Sequence, residues 1–166
     1  MSIENNPLVK PSPHKYGAVP FNEIKQEHFI PALEYAIKKA EKTLDEVKTN
    51  TDTATFENTA LPMETCSELI ETISLTYFNL MGAESDNDFK ELAQQISPKL
   101  SAFSNNVHLD SQLFAKVKYL YENIKNDNLN EEQKRLVAES YKGFTLNGAL
   151  LNDTENKKVR KIDEEL

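Results

Sequence analysis

Four side chains in this sequence could hold a transition metal most readily: His14, His28, His108 and Cys66. A zinc site on a helix takes two ligands one turn apart, at i and i+4, or clustered His and Cys. No pair among these four has that spacing. His14 lies in a proline-rich stretch, His28 at an expected helix start, and His108 at an expected helix end. A phosphoryl-accepting histidine of a helical bundle sits mid-helix on a solvated face, and His28, three residues before Pro31, is poorly placed for that role. Cys66 has no partner for an internal disulfide and reads as a small apolar filler on a helix. Carboxylates cluster at Glu131 with Glu132, at Asp163-Glu164-Glu165, and at Glu84 with Asp86. Acid–base chemistry between carboxylates needs two of them across a cleft in different environments. These stand at caps or on solvated faces, and the helix dipole alone accounts for Glu131 and Glu132. Asn152-Asp153-Thr154 matches a glycosylation sequon over only three residues. There is no glycine-rich phosphate loop and no Gly-x-Ser-x-Gly elbow. No catalytic, cofactor-binding or metal-binding residue is therefore assigned.

The elements expected around these residues are all helical. The chain has 166 residues, 39% hydrophobic and 28% charged, which is enough for a real core. Glycine occurs only at Gly17, Gly82, Gly143 and Gly148, too rarely for many hairpins. The net charge of −8 disfavours nucleic acid. No apolar run is long enough to span a membrane, and no secretory leader is visible. With a single cysteine, the expected location is the cytoplasm, or the periplasm if a leader has been removed.

Residues 1–20 carry Pro7, Pro11, Pro13, Pro20 and Gly17 and are expected to form an extended arm, lying by Leu8, Val9, Tyr16 and Val19 against an apolar surface. The remainder, 21–166, is expected to form an all-α bundle of about six helices. The first spans about 27–48, with Ile30, Leu33, Ile37, Ala40, Leu44 and Val47 on one stripe and Pro31 in its first turn. Thr55 caps a second helix to about Met81, with Leu61, Leu69, Ile70, Ile73, Tyr77 and Leu80 inward, a kink or a break at Pro62 and an end at Gly82. A third follows Asp86 or Asn87 and carries Phe89, Leu92, Ala93, Ile96, Leu100, Phe103 and Val107, bent by Pro98. Asp110 caps a fourth, with Leu113, Phe114, Val117, Leu120, Tyr121 and Ile124 inward. Asn130 with Gln133 forms a capping box for a fifth, with Leu136, Val137, Tyr141 and Phe144 inward and an end at Gly148. A last helix begins near Asp153 with Val159, Ile162 and Leu166 inward. It is still periodic at the end of the chain, as expected for a domain cut from a longer protein. Tyr77-Phe78 and Tyr119 with Tyr121 are neighbours on helices, so one of each pair must point away from the stripe.

Several blocks of this sequence, in order, resemble the thimet-oligopeptidase family of zinc metallopeptidases. The opening run Val19-Pro20-Phe21-Asn22-Glu23-Ile24-Lys25-Gln26-Glu27-His28-Phe29-Ile30-Pro31-Ala32 is similar to that family's Pro-Phe turn, short helix and Glu-His-Phe-x-Pro-Ala helix start. Asn6-Pro7-Leu8 precedes it. Thr55-Phe56-Glu57-Asn58-Thr59 resembles Thr-Phe-x-Asn-Thr, and Tyr77-Phe78-Asn79-Leu80 resembles Phe-Phe-Asn-Leu. The run from Leu109 to Val117 resembles Leu-Asn-x-x-Leu-Phe-Ala-Arg-Val, with Asp110 in place of the pattern's Asn. Gln133-Lys134-Arg135-Leu136-Val137 and Phe144-Thr145-Leu146-Asn147-Gly148-Ala149 resemble the next two blocks. Within the family the blocks sit nearer to the bacterial peptidyl-dipeptidases than to the oligopeptidase A branch.

The resemblance implies the helical N-terminal domain of a zinc enzyme that removes dipeptides from short peptides. It would form part of a channel wall and would precede a catalytic domain bearing His-Glu-x-x-His, a motif this sequence lacks. It implies no cofactor in this chain and zinc in the full-length enzyme. The implied partners are the missing catalytic domain and oligopeptide substrates; the cut last helix adds the expectation of a second copy meeting apolar surface that truncation exposes. The chain by itself is expected neither to bind zinc tightly nor to cleave peptides. The alternative from a different class is a standalone helical adaptor that binds a partner helix in a groove.

Overall fold

The computed structural model describes residues 2–84, 87–125 and 128–165. It is all-α, with six α-helices of 13 to 22 residues, one shorter helix, and no strand among the described residues. The chain forms two compact units: Met1–Glu41 with Cys66–Pro98, and Lys42–Thr65 with Lys99–Leu166.

In the first unit the segment expected as an extended arm is turned. Single 3-10 turns occur at Ile3–Asn5, Lys15–Gly17, Phe21–Glu23 and Gln26–His28. Asn6 explains the first of these bends. Its side-chain N–H donates to the His28 carbonyl at 2.9 Å, and its Oδ1 accepts the Leu8 N–H at 3.0 Å. Both ends of a buried amide are thus satisfied, and Leu8 is buried as its apolar character requires. Tyr16 departs from expectation: it is 92% exposed, with φ at 62°. Lys10 and Glu23 pair at 2.8 Å, and that hydrogen bond and charge hold the Glu23 carboxyl below its usual pKa.

Helix α1 spans Phe29–Thr49. Pro31 falls in its first turn, where a missing N–H costs nothing. The buried face is Phe29, Ala32, Leu33, Ala36, Ala40, Leu44 and Val47. Ile30 and Ile37, expected inward, are only half-buried, because the helix is rotated towards its alanines.

The long second helix expected from Thr55 to Met81 is two helices. Thr55 does cap its start: Asn58 N–H donates to Thr55 Oγ1 at 3.2 Å, and Thr55 N–H donates to Asn58 Oδ1 at 2.8 Å. A π turn at Phe56–Ala60 follows, then α2 at Leu61–Thr65. In that π turn the Leu61 N–H reaches back five residues to the Phe56 carbonyl. Pro62 explains the widening, since its ring would otherwise crowd a carbonyl one turn back and its nitrogen donates nothing. The break lies at Cys66 and Ser67, one turn beyond Pro62, and α3 then spans Glu68–Glu84. Glu68 and Glu71 in its first turn suit the helix dipole. Leu61, expected inward, is 43% exposed. Gly82 does not end the helix, because its φ is not positive there and α3 continues to Glu84.

Helix α4 spans Asn87–His108 and contains Pro98, after which the division between the units falls. Of its expected stripe Ile96 is fully buried, while Phe89, Leu92, Ala93, Leu100, Phe103 and Val107 are half-buried. The centre of the first unit is aromatic. Phe29 meets Tyr77 and Phe89 edge-on, with centroids at 5.4 and 5.8 Å, and Tyr77 stacks on Phe89 at 5.3 Å. Such pairs add about 0.5–1.5 kcal/mol beyond burial. The Tyr77 hydroxyl donates to the Phe89 carbonyl at 2.5 Å. Phe78, its neighbour, is the outward member of that pair at 41% exposed.

Burial pushes the Tyr77 hydroxyl above its ordinary pKa, so the folded chain holds this proton more tightly than the unfolded chain does. Its contribution is complete below the unfolded value of about 10 and is lost as pH rises through the folded value. Urea midpoints measured from about pH 9 to about 11.5 should fall more steeply for the native chain than for Tyr77→Phe. Parallel curves would remove Tyr77 as the source.

In the second unit, α5 spans Ser111–Asn123, α6 Glu131–Leu146 and α7 Asp153–Glu165. The π turn packs against α5 and α6. Phe56, Ala60, Leu120 and Val137 form a buried cluster, with Ala54, Ile124, Leu129 and Leu136 around it. The box of Asn130 and Gln133 closes with two hydrogen bonds of 2.9 Å. Gly148 takes φ of 100° beyond the end of α6, and the Ala149 N–H returns to the Phe144 carbonyl at 3.0 Å, the long bond of a Schellman cap. The positive φ favours glycine at 148, and a Cβ there would lie 3.0 Å from a Leu151 methyl, which would have to shift.

The start of α7 is capped by Asn152, whose Oδ1 accepts the N–H groups of Thr154 and Glu155 at 3.0 Å each, while Glu155 returns to the Asn152 N–H at 3.0 Å. The expected stripe on α7 is not followed inward. Val159 is half-buried, Ile162 is 57% exposed, and Leu166 lies outside the described residues. The helix is tied to the end of α4 by polar contacts instead: Arg160 donates to Asn106 Oδ1 at 3.0 Å and to the Asn105 carbonyl at 3.5 Å.

Candidate functional site

Of the candidate metal ligands, His28 and His108 serve local structure. His14 is exposed. His28 is 5% exposed, and its Nδ1 accepts the Lys25 N–H at 3.0 Å, supplying one of the partners that a helix start lacks. That bond places the proton of the neutral ring on Nε2, which is buried and has no hydrogen-bond partner among the described residues; Glu27 stands 4.0 Å away. A ring this enclosed cannot take a phosphoryl group from an outside donor. His108 turns its Nδ1 to Ser104, 3.0 Å from the carbonyl and 3.2 Å from Oγ, and lies tilted on Phe144 at 5.5 Å. Cys66 is half-buried in the turn between α2 and α3, not on a helix as expected. Among the described residues no group of three or more His, Cys, Asp and Glu could hold a metal ion.

The carboxylates are placed as helix starts require. Glu131 pairs with Lys134 at 3.0 Å in the first turn of α6, and Glu132 is exposed beside it. The side chains of Glu84 and Asp163 to Glu165, with Asp86, lie outside the described residues. Asp110 has two tasks. Its Oδ1 accepts the N–H groups of Gln112 and Leu113 at 2.8 and 3.0 Å, capping α5. Its Oδ2 lies 3.3 Å from Lys48 Nζ, which also meets Asp45 at 2.8 Å. The Asp45 hydrogen bond, with help from Asp110, holds the Lys48 ammonium above its usual pKa against the burial that opposes it. Asp110→Ala should cost about 0.5–2 kcal/mol for the cap and up to about 1 more for the ion pair. Asp110→Asn should keep the cap and lose only the smaller part. Equal losses in urea titrations of the two variants would show that the cap contributes nothing.

A shallow recess lies on the surface of each unit. One, of about 250 Å³ in the first unit, has Gln26, Glu27, Glu91 and Gln95 around Ile30 and Leu92. The other, of about 310 Å³ in the second unit, is lined by Thr53, Ala54, Ala115, Lys116 and Tyr119. Its one ammonium, Lys116 Nζ, donates to the Asn50 carbonyl at 2.8 Å and so holds the end of α1. Neither recess was legible in the sequence, since each joins segments about 60 residues apart. In the second unit, aromatic rings stack in a row that runs inward from the surface: Tyr121 on Tyr141 at 4.2 Å, then Tyr141 with Phe114 at 5.9 Å, then Phe114 with the buried Phe144 at 6.0 Å. Tyr119 and Tyr121 are both outward, at 44% and 40% exposed, where the sequence required only one of them to be.

The described residues thus form helix ends, capped turns and aromatic packing. Residues 31–157 match the neurolysin/thimet oligopeptidase N-terminal domain, and the chain belongs to that family. It is similar to dipeptidyl carboxypeptidase of Salmonella typhimurium, 26% identical over 163 residues, covering 98% of this chain and 24% of the relative. The Escherichia coli dipeptidyl carboxypeptidase is 26% identical over 160 residues, covering 96% and 24%. Oligopeptidase A of Escherichia coli is 24% identical over 157 residues, covering 95% and 22%. The chain spans about a quarter of the length of these relatives. No helix of the described residues is long and apolar enough to cross a membrane.

Proposed function

We propose that this chain is the N-terminal helical part of a longer zinc-dependent oligopeptidase that releases dipeptides, and that it forms part of the substrate-channel wall with no catalysis of its own. The observation that carries this reading is the lopsided coverage: nearly all of this chain aligns with about a quarter of a dipeptidyl carboxypeptidase. In this reading zinc is held elsewhere in the longer protein, and no step of its chemistry runs through residues of this chain. The chain contributes rigid, capped helices that position a wall and admit extended peptides. Its partners are the catalytic remainder, oligopeptide substrates and, when the chain stands alone, a second copy meeting its exposed leucines. The bacterial relatives and the lone Cys66 support a cytoplasmic location.

The test has two arms. The 166-residue chain, dialysed after zinc loading, should retain no stoichiometric metal and release no dipeptide from a blocked peptide. The longer protein, read from the source gene, should contain His-Glu-x-x-His and release dipeptides until chelated, and a photoreactive oligopeptide should label residues of this chain. Stoichiometric zinc in the short chain, or a reading frame that stops at Leu166, overturns the proposal. Labelling confined to the remainder overturns the channel-wall role alone.

A further inference from the structure

We draw no further inference here: the strongest candidate, the stacked row of Tyr121, Tyr141 and Phe114 on helices α5 and α6, is an apolar patch exposed at Tyr121 and half-buried at Tyr141 and Phe114, and nothing in the structure shows what covers it.

Discussion

Phe29→Ala is expected to destabilise the chain by about 3–5 kcal/mol, and Leu33→Ala by about 2–5 kcal/mol. Both side chains are 0% exposed. Phe29 also meets two aromatic partners, so its loss leaves a cavity that Tyr77 and Phe89 cannot both close. Ile37 lies on the same apolar stripe in the sequence, yet it is half-buried. Ile37→Ala should cost distinctly less, since fewer of its atoms leave water on folding. Urea unfolding read by circular dichroism measures all three. An Ile37→Ala loss equal to that of Leu33→Ala would mean that the stripe, rather than the rotated alanine face, is the one buried. Since a domain carries only about 5–15 kcal/mol in all, Phe29→Ala could remove most of it.

Leu120→Ala should be nearly as costly, about 2–5 kcal/mol. Leu120 is 1% exposed and sits in the cluster with Phe56, Ala60 and Val137. The cluster sits where the π turn meets α5 and α6, so a cavity there loosens three elements together. Tyr119, the preceding residue, is 44% exposed. Tyr119→Ala should stay within about 0.5 kcal/mol. Comparable losses from the two neighbours would contradict the assigned face of α5.

Helix ends were the most legible part of the fold. Thr55 with Asn58, Asp110 with Gln112 and Leu113, and Asn130 with Gln133 each close within three residues, so residue type and spacing contain the whole interaction. The blocks that carry the family resemblance are largely these same ends. Asn152 with Glu155 is the same signal, but it was read only as a sequon. Burial was less legible, because it depends on what lies across the helix. Leu61, Ile37 and Ile162 are apolar in type and spacing, but the neighbouring elements do not cover them fully. Ala32 and Ala36 are small and were passed over, though they lie on the face that packs. Pro62 signals a kink or a break, and the helix does break, one turn beyond it, with the backbone widened before it. The bond from Asn6 to His28 spans 22 residues and left no periodic trace in the sequence.

Asp110 also limits evolutionary drift. At an ordinary helix start Asp, Asn, Ser and Thr are near equivalents, and exchange among them is close to neutral. Position 110 is not ordinary, because one oxygen holds two backbone N–H groups while the other faces Lys48. Of the four residues only Asp fills both roles at once. A lineage that loses Lys48 is free to drift to Asn, Ser or Thr, whereas one that keeps Lys48 is held at Asp; the two positions should change together.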